Sequence, residues 1–384
     1  MMIDRRLSSA LLLAVAMGAL SVPAGAVATN APEVTESSKI KVETFSKGLE
    51  NPWGMQFLPD GRLLVTERPG RLRYVNTDGR LSEAISGVPA VAAVNQGGLL
   101  DVLLAPDFEK SGVIYLSYGE PLEDGTNATA VARAKLVPEG EGGKLENLEV
   151  IWRQKPAADS GHHFGSRLVW AKDGTLFVTT GDRNKLRQEA QNPANTVGKI
   201  VHINADGTPA ADNPKTEGWA PEVWSIGHRS VQGAAIRPGT DKLYTLEHGP
   251  RGGDELNLTE AGKNYGWPII TYGEEYQGGK IGEGTKKAGL EQPVYYWVPS
   301  IAVSQLAFYD GELFPEWKGN ALVGALAGTR VERLVLDGDK VVAREELLGD
   351  VGKRIRDVRV GPDGAVWLLA DDSGEVLRVT PAKE

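Results

Sequence analysis

A short pattern recurs six times in this chain of 384 residues and constrains the fold more than any other feature. Each copy has a turn, usually with Gly beside Asp or Lys, and then four or five apolar and β-branched residues. A second run, in which apolar and polar residues alternate, follows each copy. Asp-Gly turns beside alternating runs indicate β-hairpins. The copies begin at residues 59, 109, 172, 239, 318 and 362.

The spacing of these hairpins predicts a closed ring of sheets. Intervals of about 45–80 residues suit four-stranded blades with long inserted loops. We therefore predict an all-β protein, a six-bladed β-propeller. The run KIKVETF (39–45) is expected to join the last blade and close the ring. Because no linker-like change in composition interrupts the series, we expect a single domain over residues 29–384.

The first 28 residues have the pattern of a secretory signal peptide. Arg5 and Arg6 precede a short apolar stretch, and small residues follow at Ala24, Ala26 and Ala28. The apolar stretch is too short for a membrane span. We expect cleavage of residues 1–28, after Ala26 or Ala28, and a periplasmic or secreted protein. The alternative is a buried N-terminal helix.

Charge and cysteine content exclude several classes of protein. The formal net charge of −9 argues against nucleic acid and against an anionic membrane surface as partner. The absence of Cys excludes disulfides, thiolate metal sites and a lipid-anchoring Cys after the signal. Export without disulfides fits a bacterial periplasm.

The segment EHGPRGGDELNLTEAGKNYGWP, which begins at Glu247, combines Gly and Pro with carboxylates. Gly249 and Pro250 interrupt a regular strand and leave main-chain carbonyls free. Asp254 and Glu255 add hard oxygen ligands, which suit Ca²⁺ better than a soft transition metal. The alternative is a solvated surface loop.

A propeller gathers strand ends around one mouth of its central channel. The apolar runs are expected to be the inner strands, so the residues just after them should converge there: Asp182, His248 to Pro250, Ala327 and Asp371. His163, in the loop GHHFGSR, is a candidate base, with Asp182 returning beside it to orient the ring. The alternative is a polar loop histidine without a chemical role.

Several Arg residues fall at blade edges although the protein is acidic. Arg354 and Arg356 alternate within one strand, so both guanidiniums should face the same side. Convergence of such residues would indicate a bound polyanion. The alternative is surface ion pairing with Asp357 or Glu345. The set comprises Arg167, Arg229, Arg251, Arg330, Arg354 and Arg356.

Taken together, these motifs resemble the soluble glucose/sorbosone dehydrogenases that depend on pyrroloquinoline quinone (PQQ), and within them the bacterial aldose sugar dehydrogenases. The resemblance covers nearly all of the chain after the signal. It implies oxidation of aldoses at C1 to lactones by hydride transfer to PQQ, with Ca²⁺ and an external electron acceptor. The densest matches are NQGGLLDVLLAPDF, HFGSRL, EHGPRGGDELN, KNYGWP and RIRDV.

The resemblance also implies catalytic roles. His163 corresponds to the base that takes the proton of the anomeric hydroxyl, and Asp182 to the carboxylate that orients it. Arg229 is similar to the residue that hydrogen-bonds the C5 oxygen of the quinone. Gln96 corresponds to a residue that positions the reacting groups.

Cofactor and metal ligands follow from the same resemblance. Arg354 and Arg356 correspond to the pair that holds the carboxylates of PQQ. The carbonyls of Gly249 and Pro250 correspond to ligands of a Ca²⁺ that also contacts the quinone. A second, structural Ca²⁺ site is implied by two further groups, Glu255 and the Tyr265 carbonyl.

The chain departs from the family at four positions. Ser230 and Val231 stand where Asn-Pro is frequent, and His162 where Asp or Asn is usual. Ala327 replaces a cofactor-binding Lys, with Arg330 as a possible substitute. Two alternative functions therefore stay open: a Ca²⁺-dependent propeller lactonase, and a non-catalytic propeller that binds sugar or protein. Aromatic residues that could stack on a sugar, or simply pack in the core, are Tyr272, Tyr276, Tyr295, Tyr296 and Trp297.

Overall fold

The computed structural model describes residues 31–382, so the predicted signal peptide (1–28) lies outside the described residues. The described chain is almost entirely β, with six antiparallel sheets, one per blade. Within residues 31–382 no helix has the length and apolar character needed to cross a membrane.

In chain order the strands are β1 (Ile40–Lys47), β2 (Pro52–Phe57), β3 (Leu63–Glu67), β4 (Arg71–Val75), β5 (Leu99–Leu104), β6 (Val113–Pro121), β7 (Asn127–Glu139), β8 (Gly142–Arg153), β9 (Gly165–Trp170), β10 (Leu176–Thr180), β11 (Lys199–Ile203), β12 (Val223–Ile226), β13 (Val231–Ile236), β14 (Leu243–Glu247), β15 (Asp254–Thr259), β16 (Tyr295–Trp297), β17 (Val303–Phe308), β18 (Ala321–Ala325), β19 (Arg330–Asp337), β20 (Lys340–Leu347), β21 (Ile355–Val360), β22 (Val366–Ala370) and β23 (Glu375–Pro381). One short helix, α1 (Phe108–Ser111), and two 3₁₀ turns, Arg187–Gln191 and Pro315–Trp317, complete the described elements.

The six-bladed propeller predicted from the repeats is confirmed. Among the described residues, blade one has three strands (β2-β3-β4) and each of the others has four. The ring closes where β1 pairs antiparallel with β23, from Ile40 opposite Pro381 to Lys47 opposite Glu375. The N-terminal run therefore completes the last blade, as expected.

One expectation about the blades was wrong. The repeated apolar run forms the second strand of each blade, and the strand before it is innermost, in contact with its counterparts in neighbouring blades. The physical reason lies in burial. β3, β10, β14, β18 and β22 are buried along their whole length between two neighbouring blades, which favours continuous apolar sequence.

Because neighbouring strands are antiparallel, the end of each second strand lies on the same face as the start of the inner strand. This face therefore receives residues from two places in every blade: those after the second strand, such as Asp182 after β10, and those before the inner strand, such as His163 before β9. Side chains distant in sequence meet there.

Buried polar groups connect the blades around the channel. Leu168 N donates to Asp101 Oδ2 at 2.9 Å, and Met55 N donates to Asp357 Oδ2 at 2.9 Å. Arg167 lies between both carboxylates, with Nη1 3.0 Å from Asp101 and 3.5 Å from Asp357. All three ionic side chains are fully buried, so each needs the others for compensation. Arg167 is therefore part of the scaffold and does not belong to the predicted polyanion site.

Candidate active site at the mouth of the propeller

The backbone that carries His163 is held in an uncommon conformation. His163 has φ +51°, Gly165 +72° and Ser166 +86°. For residues other than Gly this left-handed region costs free energy, and such residues concentrate at functional sites. Gly181 permits the arrangement, because a Cβ there would lie 2.1 Å from the carbonyl oxygen of His163.

His163 and Asp182 form the pair expected from the sequence. His163 Nδ1 lies 2.6 Å from Asp182 Oδ1, and both side chains are almost completely buried. Asp182 also accepts a hydrogen bond from the amide of Asn184 at 2.7 Å and one from Trp267 Nε1 at 2.8 Å. The carboxylate is thus fixed by three donors from different segments.

The pKa shifts of His163 and Asp182 indicate which residue is neutral and which is ionised. Burial raises the pKa of Asp182, but its hydrogen bond with His163 and the charges nearby, including Arg229, outweigh burial and leave the pKa lowered. Burial lowers the pKa of His163, against the opposing effect of Asp182. A neutral imidazole that donates from Nδ1 to an ionised carboxylate leaves Nε2 as the basic atom.

Gln96 and Arg229 both interact with His163. Gln96 Oε1 accepts a hydrogen bond from the His163 amide at 2.8 Å. Arg229 Nη1 donates to the carbonyls of His248 and Gly249, each at 3.0 Å, and its charge contributes to lowering the pKa of His163. The structure therefore brings the four predicted catalytic residues together at one mouth.

A cavity of about 290 Å³ is lined by Gln96 and by Phe164 and Gly165, the two residues that follow His163. Arg354 and Arg356 both line it, as the alternation predicted. Burial is the main cause that lowers the pKa of Arg356 to about 10, and the charges of Arg68, Arg167 and Arg354 lower it further. Trp53 and Phe164 supply aromatic walls. The cavity suits an anionic molecule that can also contact aromatic side chains.

Buried polar atoms in this cavity support that interpretation. Arg356 Nε and Asp371 Oδ1 are buried and have no hydrogen-bond partner among the described residues. Arg356 Nη1 donates to Gln232 Oε1 at 3.1 Å, while its Nη2 is 3.6 Å from Asp371 Oδ2. Arg356 Nε is a donor that an anionic ligand would satisfy, whereas Asp371 Oδ1 is an acceptor and gives no support for an anion.

The predicted Arg cluster was wrong for two further members. Arg251 pairs with Glu274 at 3.4 Å. Arg330 Nη2 lies 3.2 Å from Glu346 and 3.7 Å from Glu332, on the strands of blade five. Neither residue lines the cavity, because carboxylates on their own or adjacent segments attract them elsewhere.

Glu247 and Glu255 face each other across β14 and β15. With Tyr265 and Thr271 they surround a void of about 10 Å³, room for one water or ion. Burial and the neighbouring Glu247 raise the pKa of Glu255, and a cation between the two carboxyl groups would oppose that shift. Arg229 also lines the void. Within residues 31–382 no three His, Asp or Glu side chains are grouped to hold a metal, so a metal here would also need main-chain carbonyls.

Asp254 is not available as the ligand suggested by the sequence. Its oxygens accept hydrogen bonds from the amides of Gly249 and Ile301, both at 2.9 Å, and from Ser300 Oγ at 2.7 Å. The carboxylate therefore shapes the loop that presents the Gly249 and Pro250 carbonyls.

Sequence reasoning assigned no role to Arg68, Gln232 or Trp267. Arg68 directly follows β3, as Asp371 directly follows β22, and Asp182 is the second residue after β10. The expectation that residues just after the apolar runs converge at one mouth applies to Arg68 as well, and could have identified it. Trp267 stands in the Tyr-Gly-Trp-Pro segment, but its contact with Asp182 depends on a loop from the next blade.

The fold and the site define a β-propeller enzyme with a carboxylate-oriented histidine beside a cationic cavity. The sequence pattern of the family described as Glucose / Sorbosone dehydrogenase matches residues 49–378. The chain therefore belongs to the glucose/sorbosone dehydrogenase family.

Similar proteins agree with this assignment. The aldose sugar dehydrogenase YliI of Escherichia coli K12 is 45% identical over 348 residues, which cover 89% of this chain and 93% of that protein. The crystal structure of the soluble E. coli aldose sugar dehydrogenase in its apo form has a TM-score of 0.86 at 44% identity, covering 89% of this chain and all of the other. The PQQ-bound aldose sugar dehydrogenase of Streptomyces coelicolor has a TM-score of 0.74 at 28% identity, covering 89% and 98%.

Proposed function

We propose that this protein is a quinoprotein aldose dehydrogenase, which oxidises aldoses at C1 to lactones with PQQ bound at the mouth of the propeller. The observation that carries the proposal is the His163–Asp182 pair, 2.6 Å apart, beside the cavity lined by Arg354 and Arg356. PQQ, when bound, supplies the acceptor for the hydride that leaves C1.

His163 acts as the general base. Its Nε2 takes the proton of the anomeric hydroxyl, and the imidazolium that forms is stabilised by Asp182 at Nδ1. Gln96 holds the His163 backbone through its amide and so fixes the ring. Arg229, held by two carbonyls, stabilises negative charge that develops next to the substrate without reorganising.

Arg354 and Arg356 hold the carboxylates of the cofactor by charge-assisted hydrogen bonds. The Gly249 and Pro250 carbonyls would bind a Ca²⁺ beside it, although Gly249 O already accepts from Arg229. Glu255 and the Tyr265 carbonyl would bind a second Ca²⁺ at the void. Glu247 lies next to the same void, but its oxygens already accept hydrogen bonds from the Arg229 amide at 2.7 Å and from Asn257 Nδ2 at 3.1 Å.

Tyr276 is the side chain best placed to contact the sugar. It is 65% exposed, and its hydroxyl oxygen accepts from Arg229 Nη2 at 3.4 Å. Of the aromatic residues considered from the sequence, Tyr295 and Trp297 are buried in the core, and Tyr272 stacks on Tyr296 at 3.9 Å.

We also propose that the protein is exported and that residues 1–28 are removed. Mass spectrometry of the protein from a periplasmic fraction should give a mature chain that begins at Val27 or Thr29. An intact N-terminus in that fraction would contradict cleavage.

The function is tested by loading apo-protein with PQQ and Ca²⁺ and supplying aldose with an artificial electron acceptor. The acceptor should be reduced only when PQQ and aldose are both present, with lactone as product. Release of acid from a lactone without acceptor would instead support a propeller lactonase. Sugar binding without either reaction would support a binding module.

A further inference from the structure

The cavity beside His163 holds more positive charge than its own carboxylate can balance. Three guanidiniums line it, from Arg68, Arg354 and Arg356, against one carboxylate, that of Asp371. An anion is required to neutralise the remainder.

Asp371 is shared between Arg68 and Arg356 and makes no hydrogen bond to either. The distance from Arg68 Nη2 to Asp371 Oδ1 is 4.0 Å, and that from Arg356 Nη2 to Asp371 Oδ2 is 3.6 Å. Both exceed hydrogen-bond distance, so the carboxylate lies between the two cations without binding either directly. Arg68 Nε is buried and has no hydrogen-bond partner among the described residues.

The position of Arg68 is fixed by its surroundings. Its amide donates to Asn51 O and its carbonyl accepts from Leu99 N, both at 3.1 Å. Gly98 packs so closely that a Cβ would lie 2.0 Å from the Arg68 carbonyl oxygen. One terminal nitrogen, Nη1, donates to Asn95 O at 2.5 Å, in the loop that leads to Gln96. The guanidinium is therefore preorganised at the cavity wall.

Blade five contributes no cation to this cavity. Leu326 lines it, Ala327 has no functional group, and Arg330 is directed to Glu346 and Glu332. Besides Arg354 and Arg356, the Arg residue that lines the cavity is Arg68, in blade one. A third cation for the cavity therefore comes from Arg68.

We propose that Arg68 binds a carboxylate of the quinone cofactor and takes the place of the cation missing at Ala327. This inference rests on the proposed function, because it assumes that PQQ is the ligand of the cavity. It assigns cofactor binding to three guanidiniums from two adjacent blades: Arg68 from blade one, and Arg354 and Arg356 from blade six.

The test measures equilibrium binding of PQQ to apo-protein by isothermal calorimetry, without turnover. Arg68→Gln should weaken binding about 10- to 100-fold, the effect of losing one charge-assisted hydrogen bond. Arg68→Lys should recover most of that affinity. The dissociation constant of Arg68→Gln should also depend less on salt than that of the wild type.

Arg330→Gln is the matched control, because Arg330 is the other candidate substitute for the missing cation. It should leave PQQ affinity unchanged. If Arg330→Gln weakened binding and Arg68→Gln did not, the assignment would be overturned while the proposed function stood. If the wild type bound no PQQ, the proposed function would fail, and this inference with it. Circular dichroism of each variant checks that lost binding is not lost folding.

Discussion

Trp267 Nε1 donates a hydrogen bond to Asp182 Oδ2 at 2.8 Å, while Asp182 Oδ1 lies 2.6 Å from His163 Nδ1. A residue of blade four thus holds the carboxylate that orients a base in blade three. Both contacts are buried, so losing either leaves a charged group short of a partner that water cannot replace.

Trp267→Phe should therefore lower kcat about 10-fold or more, with little effect on KM. The ring is kept, but the donor that fixes Asp182 is lost, a change of about 1.5–3 kcal/mol for a hydrogen bond to a charged group. Steady-state kinetics of reconstituted protein separates kcat from KM. The control is Trp170→Phe, because Trp170 Nε1 donates at 2.7 Å to Leu104 O, between blades two and three. Equal losses in both variants would argue that Trp267 affects only stability.

His163→Ala should lower kcat by about 10²- to 10⁴-fold, the usual contribution of a positioned general base. PQQ affinity should stay unchanged, because the guanidiniums that hold the cofactor are untouched. Stopped-flow turnover and a PQQ titration on the same preparation give both quantities. Unchanged turnover would remove His163 from the mechanism.

The pH dependence follows from the pKa of the same histidine. Burial lowers the pKa of His163 from its usual 6.5, and the base must be neutral to act. The loss of kcat/KM on the acid side should therefore begin below about pH 6.5. Asp182 raises this pKa, so Asp182→Asn should shift the acid limb to still lower pH and also lower the plateau. A shift to higher pH would contradict the assignment.

Much of the architecture could be predicted from sequence because it is specified locally. Each repeat carries its own turn and its own apolar run, so predicting the hairpins and their number did not require long-range contacts. Closure is a long-range pairing, with Ile40 opposite Pro381, and it was expected because a closed ring needs the two ends of the chain to meet in one blade. Which strand is innermost is different. The innermost strand is set by how the blades pack against one another. The second strand is buried along its whole length between two blades, so its sequence is a continuous apolar run, as that of an inner strand was expected to be.

In the site, too, some features could be predicted from local sequence and others depend on packing. His163 and Asp182 were paired from their places at strand ends, and they are in contact. Arg330 and Arg68 also stand at strand ends, yet only Arg68 lines the cavity. The difference is Glu346, a partner from the neighbouring strand that pairs with Arg330. Which Arg side chain lines the cavity depends on its neighbouring side chains, and spacing along the sequence does not show these.

Tyr276→Ala should raise KM for the aldose about 5- to 30-fold, because an aromatic face in contact with a sugar is worth about 1–2 kcal/mol. The effect on kcat should be smaller, since the two carbonyls that hold Arg229 remain. Tyr276→Phe is the matched control, because it keeps the ring and removes only the hydroxyl that contacts Arg229. A KM in Tyr276→Phe as high as that in Tyr276→Ala would assign the effect to the hydroxyl and not to stacking.

Removal of Ca²⁺ by a strong chelator should lower both activity and Tm. An ion that binds only the folded protein stabilises it, by about 2.7 kcal/mol when the ion concentration is 100 times its Kd. Glu255 is the expected side-chain ligand next to the void between β14 and β15. Glu255→Gln should therefore remove most of the effect of Ca²⁺ on Tm. Calorimetric scans with Ca²⁺ and with chelator measure this for both proteins.

Glu274→Gln is the control for that experiment, because Glu274 is an exposed carboxylate that pairs with Arg251 at 3.4 Å, away from the void. Its Tm should respond to Ca²⁺ as the wild type does. A wild-type Tm that is indifferent to the chelator would contradict the structural Ca²⁺ site. Activity that persists under the same conditions would contradict the Ca²⁺ proposed at the carbonyls of Gly249 and Pro250, since that ion would lie beside the quinone and the other would not.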